Sequence, residues 1–148
     1  PISLLSAFDD DTAAVHPAMR NSDHKHLREP RDVQEVPFIE WTAPMIRVDA
    51  LKDIGLLNEG MGYVHFDLEW SYRARKKGWK LVVDGRCELQ HQYLHSNHSH
   101  PISDIRHRLR ALKLEDSARA MAEAMGFDYI GLADAETKAR NLLLHGLS

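Results

Sequence analysis

The sequence predicts a mixed α/β fold with a helical C-terminal tail, on three observations. Phe66, Trp70 and Ala74 recur at spacing four, the period of a helix with one apolar face. Trp79, Leu81 and Val83 alternate with Lys80, Val82 and Asp84, the period of a strand. Residues 102–125 are rich in Ala, Leu, Arg and Glu, all good helix formers.

The elements follow in order. Residues 3–8 read as the end of a helix, and Asp9-Asp10-Asp11 follows. Ala13, Ala14 and Val15 enter a short strand that Pro17 is expected to stop. Residues 20–35 are polar, contain Pro30 and lack a clear period, so they read as a long loop. Order returns at Val36, with residues 37–43 extended and Met45, Ile46, Arg47 and Val48 continuing them. Asp49 is suited to cap a short helix over residues 50–54, which Gly55 ends. Residues 56–62 form a loop with two glycines. The central helix is expected over residues 66–77 and stops at Gly78. In it Glu69 precedes Arg73 by four residues, the favourable order for an ion pair. After the strand that begins at Trp79, Asp84-Gly85 makes a turn, and Cys87, Leu89 and His91 alternate on a second strand. Pro101 starts the tail. Ile105, Leu109, Leu112 and Ala120 form its apolar stripe, and Gly126 ends it. A last helix is expected over residues 134–145, capped by Asp134.

Bulk properties exclude several classes. The chain has 148 residues, 43% hydrophobic and 28% charged, which suits one globular domain. Its net charge of −3 argues against general nucleic-acid binding. Arg73, Arg75, Lys76, Lys77 and Lys80 form a local basic patch, read as a solvated face with cations at a helix C-terminus. No apolar run approaches the ~18 residues of a membrane span. The opening PISLLSAFDDD lacks the basic and apolar regions of a signal peptide. Cys87 is the only cysteine, so no intrachain disulfide forms, and a cytoplasmic location is expected. Cys87 itself reads as a small core residue.

The chemistry is concentrated in residues 54–91, IGLLNEGMGYVHFDLEWSYRARKKGWKLVVDGRCELQH. A glycine closes a short helix at Gly55, and Asn58-Glu59 follows. Then come Asp67 with Glu69, Arg73, Gly78-Trp79, a strand, and His91. This order and spacing resemble the C-terminal, acceptor-side part of family 2 glycosyltransferases. Residues 13–17 resemble the strand after that family's metal segment, and residues 41–51 its acceptor-side stretch, so the resemblance covers about residues 3–95. Phe66 stands where the family often has a second acid. The resemblance implies part of a GT-A fold over residues 1–100, with residues 101–148 as a helical extension it does not explain. The nucleotide-binding half with its Asp-x-Asp metal motif is expected outside this chain. Asp9-Asp10-Asp11 contains that pattern only at the wrong place in the order.

The resemblance also implies roles. The reaction would be inverting transfer of a sugar from a nucleotide-sugar donor to a saccharide or other hydroxyl acceptor. Asp67 would be the general base, since the attacking hydroxyl must lose its proton. A free aspartate, with a pKa of about 3.9, is a weak base, so desolvation by Phe66 and Trp70 would be needed. Trp41 would line the acceptor site with a flat apolar face, and Glu69 would either help hold the acceptor or pair with Arg73. Arg73 would contact phosphate or pair with Glu69 or Asp67. His91 would touch Mg²⁺ or Mn²⁺, which offsets the charge of the diphosphate leaving group. Each of these residues also has a plain structural reading: a core tryptophan, a helix-start acid, an ion pair, a hydrogen-bonded histidine.

Two other functions compete. One is a non-catalytic module on the same scaffold, binding a partner or a second copy through the C-terminal helices. The other is a metal binder using His91, His95, His98 and His100, with His24 and His26 as a second group. Their spacing matches no zinc motif, so the segment reads as a solvated histidine-rich loop.

Overall fold

The computed structural model of the chain describes residues 4–61, 64–91 and 103–147. His95, His98, His100, Pro101 and Ile102 lie outside the described residues, as do the side chains of Ile105, Leu109 and Leu112. The fold is α/β with a four-stranded mixed sheet. Strands β1 (Thr12–Met19), β2 (Val33–Glu35), β3 (Met45–Ile46) and β4 (Lys80–Leu89) take the order β2-β4-β1-β3. β1 and β4 are parallel, while β2 pairs antiparallel with β4, and β3 antiparallel with β1. The helices are α1 (Lys25–Arg28), α2 (Val48–Ile54), α3 (Phe66–Lys76), α4 (Ser103–Met125) and α5 (Leu132–Asn141).

β1 is buried along its whole length, which explains its apolar run without alternation. On one face Met19, Leu81 and Val83 pack against Ile54, Trp70 and Ala74. On the other, Val15 and Val82 pack against Ala7, Leu4 and Phe8. A second core joins the tail to the rest of the chain. Ala118, Met121 and Met125 of α4 pack with Ala135 and Ala139 of α5, and with Phe38, Met61 and Leu68. α3 is therefore shared, with Trp70 and Ala74 toward the sheet and Leu68 toward the tail. Arg75 ties the far end down by donating to the carbonyls of Pro37 and Leu143.

The structure corrects several local expectations. β1 runs through Pro17. β3 reaches only Ala14 and Val15, and the pairing with β4 shifts between Pro17 and Ala18, so the missing N–H falls at a bulge. The polar stretch of residues 20–35 contains α1 and β2. Residues 37–43 form no strand, and Arg47, not Asp49, precedes α2. Gly131, not Asp134, precedes α5. Asp84-Gly85 is a bulge within one long strand instead of a hairpin turn: Asp84 faces Pro17 while Glu88 faces Ala18. The fully buried Asp84 carboxylate accepts from Arg86 N–H at 3.0 Å and from the Arg86 guanidinium at 2.9 Å. Those bonds hold its pKa below the usual carboxylate range, with the Arg86 side-chain bond as the largest cause.

At that bulge the backbone of Pro30 presses on Gly85, and an added Cβ would sit 2.4 Å from the Pro30 carbonyl oxygen. Gly85→Ala is expected to cost about 1–3 kcal/mol, the range for overpacking. Urea denaturation should show a lower midpoint.

Candidate functional site

Asp67 stands in the first turn of α3, and the entry to that helix is unusual. His65, the residue before α3, has φ 65°, and it is the one non-glycine residue with positive φ among those described. A bulky residue there costs on the order of 1–3 kcal/mol and persists only when its surroundings fix it. The fixing bonds come from the tail. Ser117 of α4 donates its hydroxyl proton to the Val64 carbonyl at 2.7 Å and receives His65 Nδ1 at 3.0 Å. His65 Nε2 meets Glu136 of α5 at 2.8 Å. His65 and Ser117 are both buried.

This clasp shapes an open cavity of ≈ 250 Å³ between the start of α3, the loop around Phe38 and Glu40, and α5. Asp67, Phe66, His24, Glu40, Glu136 and Arg140 are among its walls. Asp67 Oδ1 accepts the Leu68 N–H at 2.9 Å. Neither carboxyl oxygen is buried without a hydrogen-bond partner. Burial pushes the Asp67 carboxyl above the usual carboxylate range. The Leu68 N–H and the nearby His65 offset that only in part. The site thus holds a half-buried carboxylate with raised proton affinity, open to a space for one small ligand.

The other residues expected at the site spread around it. Trp41 sits behind the wall, its ring edge-on to Phe66 at 6.2 Å and to Trp70 at 5.4 Å, and its buried Nε1 has no hydrogen-bond partner among the described residues. Glu69 points to the other side of α3. It is 3% exposed and takes Arg73 Nε at 2.5 Å and Nη2 at 2.9 Å. Arg73 also donates to the carbonyls of Ile54 and Leu56, each at 2.8 Å, so it locks the turn after α2. His91 lies past the end of β4, its backbone exchanging two hydrogen bonds with the Asn21 side chain. Neither Glu69, Arg73 nor His91 lines the Asp67 cavity.

Among the described residues, no cluster of three or more His, Cys, Asp or Glu side chains could hold a metal ion. Asp11 is paired with Lys80 at 2.7 Å.

Sequence reasoning did not single out Glu40, His65, Glu136 or Arg140. Only the i, i+4 order of Glu136 and Arg140 was a local signal, and it says nothing of what they face. His24 and His26 were grouped by sequence, and they do stack, with ring centroids 5.6 Å apart. His26 Nε2 donates to the Phe38 carbonyl at 3.0 Å, at the base of the cavity loop. Burial, helped by the neighbouring His24, pushes His26 down to about 4. A base held neutral in the fold titrates at higher pH when unfolded. Its contribution is therefore complete above about pH 6.5 and lost as pH falls toward about 4. We expect urea stability to drop by about 2 kcal/mol through that window, with allowance for partial solvent screening. In His26→Gln the drop should shrink.

Among the described residues, no helix is long and apolar enough to cross a membrane. Comparison of the chain with protein-family models, with curated proteins and with solved structures finds no match.

Proposed function

We propose that this chain is the acceptor-side part of a GT-A glycosyltransferase, with Asp67 as the general base. The observation that carries the reading is the Asp67 carboxylate itself: half-buried, with raised proton affinity, and on the wall of a cavity. In the proposed step, the acceptor hydroxyl gives its proton to Asp67 as its oxygen bonds to the anomeric carbon. The bond from that carbon to the donor phosphate breaks, and the nucleoside diphosphate leaves with the electron pair, inverting the anomeric centre. Near-matching of base strength to working pH is what makes such a group effective, and desolvation moves Asp67 in that direction. Phe66, backed by Trp41 and Trp70, supplies the apolar wall.

The donor half, with the cation that neutralises the diphosphate, belongs in this reading to residues beyond those described. β3 is an outer strand of the sheet, and Leu5 and Val48 beside it are 67% and 63% exposed, a surface suited to a further layer. The reading is tested by turnover of the Asp67→Asn variant in protein that carries the donor half.

The competing reading, a module that assembles through its C-terminal helices, has less support. The described apolar residues Met121, Met125, Ala135, Ala139 and Leu143 are spent on the chain's own core.

A further inference from the structure

The helical tail walls the cavity, and one of its side chains makes no hydrogen bond through its Nε among the described residues. Arg140 lies one turn after Glu136 on α5 and lines the cavity with Asp67. Glu136 gives Oε1 to His65 at 2.8 Å, whereas its Oε2 stands 3.7 Å from Arg140 Nη2, too far for a hydrogen bond. Arg140 Nε is buried with no hydrogen-bond partner among the described residues. The side chain as a whole is 41% exposed, so the outer edge of the guanidinium is open to an acceptor brought from outside. Arg140 shares the cavity wall with Asp67 and His24. Glu136 neutralises it only at ion-pair distance, 3.7 Å, while hydrogen-bonding His65, and Glu40 lies toward Ser22 and His24.

We propose that Arg140 is a specificity-determining residue that binds a carboxylate or phosphate group on the acceptor saccharide. The planar fork of arginine matches the two oxygens of either anion. The clasp of His65 with Ser117 and Glu136 ties α4 and α5 to the start of α3, and Arg140 and Asp67 line one cavity of ≈ 250 Å³. The role as acceptor wall rests on the glycosyltransferase reading, but binding itself needs no donor half.

The test is a titration of the isotope-labelled chain followed by NMR, with glucose, glucuronate and glucose 6-phosphate at equal ionic strength. At least one anionic sugar should bind tenfold or more tighter than glucose and shift the signals of Phe66, Asp67 and Arg140. The stronger of the two arms identifies carboxylate or phosphate. Arg140→Gln should erase the preference, and Arg140→Lys should keep only part of it. Thermal unfolding of each variant would confirm that the fold is retained. Equal binding of all three sugars, absence of shifts at the cavity, or a preference that survives in Arg140→Gln would each overturn the proposal. None of these outcomes touches the turnover of Asp67→Asn, so the two readings fail separately.

Discussion

Asp67→Asn is expected to lower sugar transfer by about 10²–10⁴-fold in protein that carries the donor half, the range for loss of a general base. Asparagine keeps the shape and can still accept from the Leu68 N–H, but it cannot take a proton. The same substitution should raise, not lower, the stability of this chain at neutral pH. Burial favours the protonated form of Asp67 in the fold. A carboxyl whose folded value lies above its unfolded one stabilises fully below the unfolded value. That contribution fades as pH rises through the folded value. At neutral pH the ionised group is therefore a cost, and the neutral amide removes it. A plain helix-start acid, favoured by the dipole, would behave the opposite way and lose stability on substitution. Turnover and thermal midpoint, measured on one variant, separate the two roles.

Arg73→Met is expected to cost about 3–5 kcal/mol of folding stability with no ligand present. Glu69 is 3% exposed and relies on two bonds from Arg73. Removing the cation leaves a buried charge without its partner, and it frees the carbonyls of Ile54 and Leu56 from their bonds. Converting both residues, in Glu69→Leu with Arg73→Met, should recover a good part of the loss, because no buried charge remains. A double-mutant cycle in urea measures that coupling directly. If Arg73 served only to contact phosphate, the ligand-free chain would be indifferent to its loss.

Local features were legible in the sequence because their causes are local. α3, the stops at Gly55 and Gly78, and the Glu69–Arg73 pair all follow from spacings within a few residues. Gly55 and Gly78 take φ 95° and 88°, which favours glycine. Pro17 misled because its tolerance depends on where β3 ends and where β4 shifts register, both set by distant residues. Asp84-Gly85 has the composition of a turn, yet the Pro30 backbone and Arg86 make it a bulge. The same limit applies to the site. Asp67 could be named as a candidate from its neighbours and from a family resemblance, and the structure sets it on a cavity wall. Arg140 and Glu136 could not, because only the packing of α5 against the start of α3 brings them to the same cavity. The tail that the resemblance left unexplained is the part that closes the cavity.

The central claim is that the Asp67 carboxyl is kept away from water beside an open cavity, and a ¹³C NMR titration of that carboxyl in the intact chain tests it most directly. A midpoint clearly above that of an ordinary aspartate, falling when Phe66→Ala opens the wall to solvent, is the predicted result. A midpoint at or below the ordinary value would contradict the account.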